Sequence, residues 1–387
     1  MSTPQQARAL LAALRARQTA MVRLLEKFVR AESPTDLKPA VDRFGALVGA
    51  EWRRRGAAVK VLRQRHAGNH LRVVWHGHGA SSERGQILVL GHLDTVYDAG
   101  TLRTMPFRVA RGRAFGPGAF DMKGGLVIAL FAAEALRDAG LRPSRPVVFL
   151  WNSDEETGSA TSRAIIEREA RRSAAVFVLE PAAGADGRLK TRRKGIGAAE
   201  LLVTGRSAHA GQDPPQNGVN AIHELALQLA RIAQFNDPRR GTTIAPTQIT
   251  GGTRSNVIPA AARVVLDLRA ERPADMRKLE RQLKSLRPIL RGAKIELRGG
   301  FSRPPLERTA SAALFARARS AARLLGLAIG ETSTGGGSDG NFTAALGVPT
   351  LDGLGAVGED PHSVNENVVV GSLPERAALL ALLLASV

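Results

Sequence analysis

Apolar residues along the chain switch repeatedly between helical and strand spacing. Leu10, Leu11, Leu14, Met21, Leu24, Leu25 and Phe28 recur at helical intervals, predicting a helix over 5–31 that Ser33-Pro34 stops. A second amphipathic stretch covers 39–55, and 57–63 and 70–75 alternate as strands do. Three short apolar runs follow, at 87–90, 147–151 and 175–179, separated by helical patterns over 122–139 and 161–171. Gly140 closes the first of those helices. From about 188 the order changes: a strand pair (188–205), a helix (218–234), strands (247–250 and 263–270), a helix (274–289) and a strand (294–298). This β-α-β-β-α-β order predicts a ferredoxin-like unit inserted into an α/β domain. The first grammar resumes with a helix over 310–325, a strand near 348–351 and a terminal Leu/Ala helix opened by a Ser372–Glu375 capping box. The predicted fold is thus α/β, a mixed sheet flanked by helices in a discontinuous domain (1–187 and 305–387), with an α+β insertion at 188–304.

Composition narrows the chemistry. The 387 residues are 44% hydrophobic, enough for two domains, and contain no Cys, which excludes a thiol nucleophile, a Cys-ligated metal and disulfides. The formal net charge is +20, but the basic residues are dispersed. The densest groups, Arg53-Arg54-Arg55 and Arg192-Arg193-Lys194, lack interleaved aromatics, so a solvated basic surface is expected rather than a nucleic-acid site. No stretch has the length and apolarity of a membrane span or leader, and a soluble, cytoplasmic protein is expected.

The apolar runs end in metal-ligand residue types. His92 and Asp94 follow the first, Asp154, Glu155 and Glu156 the second, and Glu180 the third. Open α/β sheets bind ligands at the carboxyl ends of their strands, so these groups are expected to converge. Adjacent carboxylates repel, and a cation would favour their ionised forms. Asp121 opens a helix, and His362 lies in a late glycine-rich loop. His66, His70, His76 and His78 have no carboxylates beside them and are expected at the surface. Gly336-Gly337-Ser338-Asp339-Gly340 fits the G-x-S-x-G motif, with His362 following, and keeps a serine hydrolase as a remote alternative. That reading leaves the acidic residues unexplained and needs a buried strand where Glu331-Thr332-Ser333-Thr334 stands.

The segments GHLDTV (91–96), FGPGAFDMKGG (115–125), NSDEETGS (152–159), LEP (179–181), SAHAG (207–211) and GGGSDGNF (335–342) resemble, in order, the dinuclear zinc metallopeptidases. That family includes glutamate carboxypeptidase, acetylornithine deacetylase, succinyl-diaminopimelate desuccinylase and aminoacylase, and the texture is nearest the first. The resemblance implies two divalent ions, zinc with cobalt or manganese as alternatives. His92, Asp121 and Glu180 would hold one, and Asp121, Glu156 and His362 the other, with a shared water. It implies that Glu155 is the general base and that Asp94 accepts the other N–H of His92. It makes the insertion a lid and dimerisation domain, whose His209 reaches the partner subunit's site in a homodimer. Arg269 and Asn256, with Gly336 backbone N–H and Arg303, would hold the substrate's carboxylate. The expected reaction is hydrolysis of a peptide or amide bond next to a free carboxylate, by a carboxypeptidase or, alternatively, an N-acyl-amino-acid deacylase.

Overall fold

The computed structural model describes residues 3–75, 85–212 and 217–387. The chain divides into two compact units, one of residues 1–192, 308–333 and 338–387, the other of 193–307 and 334–337. His76 and His78 lie outside the described residues.

The first unit is built on a six-stranded mixed sheet, ordered 58–62, 70–75, 147–152, 86–92, 173–178, 350–351. The two outer strands at one side run antiparallel, and the last four are parallel. Successive side chains of a strand face opposite sides, and the core follows that rule. Ile87, Val89, Val147, Phe149, Trp151, Ala175 and Phe177 belong to the large core, along with apolar residues of the helices 4–16, 18–30, 38–54, 124–138, 308–324 and 372–386. Leu88, Leu90, Val148, Leu150, Val176 and Val178 join Ile166 and Ala170 of the helix 163–171 in a smaller cluster. Trp52, Phe149 and Trp151 stack in the large core, with Phe149 centroids 4.3 Å from Trp52 and 5.5 Å from Trp151. The parallel strands are therefore apolar on both faces, which is why they read as continuous runs.

The second unit is a four-stranded antiparallel sheet, ordered 243–251, 261–270, 195–204, 294–303, with helices at 221–233 and 273–284. In chain order this is 2-3-1-4, the ferredoxin-like arrangement, and Leu201, Val203, Val264, Leu266 and Leu268 form one core with Leu225, Ile232, Leu279 and Leu283 of the helices. At its start and finish Arg193 and Leu306 exchange both backbone hydrogen bonds, each 3.0 Å. Residues 334–337 group with this unit because Arg193 Nη1 donates to Gly336 O (3.2 Å) and Gly337 O (2.9 Å) and Arg269 Nη1 to Gly335 O (3.1 Å).

Four local expectations are corrected. The helix over 5–31 is two helices, Pro4–Ala16 and Gln18–Arg30, broken at Arg17. Arg17 there reaches Glu134 and Asp138 of the helix 124–138, at 3.0 and 3.2 Å. The strands 189–193 and 195–204 do not pair together: the first joins 331–334, a short strand with no buried residue, and the second enters the ferredoxin-like sheet. No capping box opens the last helix. Ser372 is its first residue, and Glu375 pairs with Arg15 at 2.8 Å. His66 is exposed as expected, but His70 is fully buried, with Nδ1 2.9 Å from Ser153 Oγ and Nε2 3.1 Å from Thr161 Oγ1. Burial holds its pKa below the usual histidine value. No helix among the described residues is long and apolar enough to cross a membrane.

Candidate metal centre

The carboxyl ends of the parallel strands assemble the site. The strand 86–92 ends on His92, 147–152 is followed directly by 153–156, and 173–178 by Leu179 and Glu180. His92 is almost wholly buried. Its Nε2 lies 3.2 Å from Asp121 Oδ1 and 3.5 Å from Glu180 Oε1. Asp121 sits in the irregular turn 119–123 that precedes the helix 124–138, with extended backbone angles (φ −114°, ψ 96°). Its other oxygen, Oδ2, is 3.4 Å from His362 Nε2, which is also 3.5 Å from Glu156 Oε1. One ligand atom from each of His92, Asp121 and Glu180 lies within 4.8 Å of the others, and the same holds for Asp121, Glu156 and His362. Asp121 is common to both triads, with one oxygen facing each histidine.

The electrostatics are those of crowded carboxylates. Burial alone would depress the His92 pKa, but Asp121, Asp94 and Glu180 outweigh it and raise it well above the usual value. Hydrogen bonding to Asp121 and Glu156 pushes His362 up to about 10. Burial pushes Asp121 upward, yet the two histidines hold its carboxyl well below the ordinary range. In Asp94 burial prevails and raises the carboxyl to about 6. Glu156 Oε1 is buried and only weakly paired, with His362 Nε2 3.5 Å away, a costly state that a cation would relieve. Imidazole nitrogens and carboxylate oxygens around a shared aspartate are a donor set suited to divalent metals. The residues present therefore fit such ions.

The remaining predicted residues fall into two groups. In the first unit, Glu155 lies in the turn beside Glu156, outside both triads, and its N–H reaches Asp94 Oδ1 at 3.3 Å. Asp94 is placed differently from expectation. The His92 Nδ1–H is accepted by the Asp94 main-chain oxygen at 2.9 Å, whereas the carboxylate is 3.6 Å away. That carboxylate takes instead the N–H groups of Glu155 and Glu156 (3.3 and 3.2 Å) and the Thr35 hydroxyl (2.9 Å). Asp154 is likewise not part of the triads. Its Oδ2 accepts from Thr161 N and Oγ1, both 2.7 Å, closing the turn that carries the two glutamates.

In the second unit, His209 is exposed and its Nδ1 accepts from Gly211 N (3.2 Å) and Gln212 N (3.1 Å), so the ring proton is on Nε2. Arg269 is half-buried, with its Nε and Nη2 edge bidentate on Asp267, both 2.8 Å. Asn256 is exposed, and Arg303 is buried at the end of the strand 294–303. The Gly336 N–H reaches Thr334 Oγ1 at 3.5 Å. Ser338, the alternative nucleophile, is fully buried; its Oγ lies 2.5 Å from Asp352 Oδ2 and accepts Gly340 N–H at 3.1 Å, which ties it into a turn.

Sequence reasoning missed Glu366, Tyr97 and Thr35. None lies in a motif with a readable spacing; Glu366 stands in a polar stretch, Ser363 to Asn367, that reads as an ordinary loop.

The profile of peptidase family M20/M25/M40 matches residues 88–386. Carboxypeptidase G2 of Pseudomonas sp. (strain RS-16) is 32% identical over 377 residues, covering 95% of this chain and 89% of that protein. Succinyl-diaminopimelate desuccinylase of Nitrosococcus oceani is 29% identical over 299 residues, 73% of this chain and 78% of that one. Among solved structures, aminopeptidase PepT of Bacillus cereus superposes with a TM-score of 0.77 at 20% identity, covering 95% of this chain and 98% of its own. This last likeness concerns the fold.

Proposed function

Because the chain belongs to peptidase family M20/M25/M40, and so is a hydrolase of peptide or amide bonds that uses divalent metal, we propose that it is a two-metal carboxypeptidase. Its substrate is a peptide or acyl compound ending in a free carboxylate, from which it releases a C-terminal amino acid such as glutamate. The observation that carries this reading is the pair of triads sharing Asp121. His92, Asp121 and Glu180 would hold one ion and Asp121, Glu156 and His362 the second, with zinc the metal best matched and cobalt or manganese compatible. Bound there, the ions would polarise the scissile carbonyl and acidify the attacking water.

The chain's own groups supply the rest. Glu155 takes the proton of the attacking water on its carboxylate and returns it to the leaving amine. Asp94 aims that carboxylate by holding the Glu155 N–H. His209 of the partner subunit in a homodimer donates its Nε2–H to the developing oxyanion, an orientation favoured by the two N–H groups on its Nδ1. Arg269 uses the donors not spent on Asp267 and Gly335 O for the substrate carboxylate, with Asn256, Gly336 and Arg303 around it. A cytoplasmic location belongs to the same reading, and no nucleic-acid or membrane partner is assigned. The desuccinylase relative supports the alternative, an N-acyl-amino-acid deacylase.

The deciding experiment is a release assay on C-terminal glutamyl peptides, N-acyl amino acids and their amidated forms, with metal-free and metal-loaded protein. Turnover of free acids by loaded protein alone is expected. Full activity without metal, or equal turnover of amidated substrates, overturns the reading.

A further inference from the structure

A single buried carboxylate ties together the two loops that carry Asp121 and His362. Glu366 has no exposed surface. Its Oε1 accepts the N–H of Phe120 at 2.8 Å and of Asp121 at 3.0 Å. Its Oε2 lies 2.5 Å from the Tyr97 hydroxyl oxygen and 3.4 Å from His362 N. Tyr97, the one tyrosine of the chain, also has its oxygen 2.9 Å from Ser363 O. Thus one side chain receives main-chain N–H groups from both loops, and Tyr97 holds it from the side.

Neither loop has the regular backbone that would place its ligand without help. Asp121 lies in an irregular turn, outside helical angles. His362 has φ +62° and Asp360 φ +58°, left-handed angles that non-glycine residues rarely adopt and that surrounding contacts must impose. The His362 side chain is itself about half exposed, so packing does little to fix it.

We propose that Glu366, braced by Tyr97, is a positioning residue that sets Asp121 and His362 at the spacing a divalent ion requires. It touches neither substrate nor ion and acts through the backbone of the two ligands. The inference rests on the reading of the two triads as metal sites.

Glu366→Gln separates this role from bulk stability. The amide keeps the shape and one acceptor oxygen. Turned toward Phe120 and Asp121, that oxygen keeps both N–H groups. The NH2 then faces Tyr97, which can accept, and His362 N–H, which cannot. The damage therefore concentrates on His362. Orienting groups of this kind typically change metal affinity roughly 10- to 100-fold.

The test is a calorimetric titration of Zn²⁺ into metal-free protein, repeated with Co²⁺ and read by visible absorption. For Glu366→Gln, one of two ions should bind about 10- to 100-fold more weakly and the other within roughly threefold. Activity lost at limiting metal should return as metal is raised, and the metal-free melting temperature should be little changed. Tyr97→Phe should weaken the same ion by a smaller factor, and it carries the test by itself if Glu366→Gln does not fold. Unchanged binding of both ions in the variants, or equal weakening of both with a lowered metal-free melting temperature, overturns the proposal. An unsubstituted protein that binds no ion would instead sink the metal-site reading.

Discussion

Replacing Asp94 with asparagine separates two routes by which it could matter. If its carboxylate acted on the His92 ring, the ion held by His92 should suffer. The geometry points elsewhere, because His92 Nδ1 is 2.9 Å from the Asp94 carbonyl oxygen, which asparagine retains. The carboxylate is spent on the turn carrying Glu155 and Glu156: Oδ1 takes Glu155 N–H at 3.3 Å, and Oδ2 takes Glu156 N–H at 3.2 Å and the Thr35 hydroxyl at 2.9 Å. An amide has one acceptor oxygen, so one of the two backbone N–H groups must face an NH2. Hydrogen bonds to a charged acceptor are worth about 1.5–3 kcal/mol, and of the two distances one lies at the long end of the normal range and the other just beyond it. A loss of about 1.5 kcal/mol corresponds to roughly tenfold, and the lost negative charge acts in the same direction. Asp94→Asn should therefore lower kcat/KM about 10- to 50-fold at saturating metal. Metal titrations in Glu180→Gln and Glu156→Gln backgrounds, each retaining one intact triad, locate the effect. The Asp121–Glu156–His362 ion should weaken, and the His92 ion should stay within a few-fold. Loss confined to the His92 ion, or unchanged kinetics, would refute the argument.

Three further outcomes follow from the same geometry. Glu155→Gln should keep both ions and the fold, while kcat falls on the order of 10²-fold or more, the scale of a positioned acid–base; loss of bound metal would mean that Glu155 is a ligand. Gly355→Ala should weaken the ion beside Glu180 and lower the melting temperature. An added Cβ there would collide with the carbonyl oxygens of Leu179 and Glu180, and overpacking typically costs about 1–3 kcal/mol; differential scanning calorimetry and metal titration check both. His209→Ala should lose roughly 3 kcal/mol of transition-state stabilisation. Mixed with Glu155→Gln and re-associated, it should regain up to about half the native activity per heterodimer, and heterodimers without activity would remove the trans role.

The sequence showed the frame of the site because a buried parallel strand is apolar on both faces. Ile87 to Leu90, Val147 to Trp151 and Ala175 to Leu179 end where the polar chemistry begins, so His92, Glu156 and Glu180 could be read as strand-end groups. What remained hidden were contacts made by the main chain. Nothing in the spacing of His92 and Asp94 tells a carboxylate from a carbonyl oxygen as the partner of Nδ1. The same limit hid Glu366, whose acceptors meet N–H groups of Phe120 and Asp121, remote in sequence. His70 was misplaced for a related reason. Without a carboxylate beside it in sequence it reads as a surface residue, but the hydroxyls of Ser153 and Thr161 make a polar niche for it inside the protein. Helix boundaries failed where tertiary partners decided them, as at Arg17, whose guanidinium is drawn to Glu134 and Asp138.

The paired backbone bonds between Arg193 and Leu306 bring the entry and exit of the ferredoxin-like insertion side by side. To the residues before 193 and after 307, the intervening chain is then a stem with adjacent ends, not a long loop. Closing such a loop grows costly only slowly with length, about 0.6 kcal/mol per doubling, and a segment that folds on its own core bears that cost itself. The insertion is in this sense a cassette. It can be lengthened, trimmed or exchanged for another with closely spaced ends while the strand register that sets the two triads stays as it is. Of the residues proposed for the substrate's carboxylate end, Arg269, Asn256 and Arg303 lie in the cassette, whereas Gly336 and the residues of the two triads lie outside it. Changes within the cassette can therefore accumulate while the strand register behind the two triads is kept.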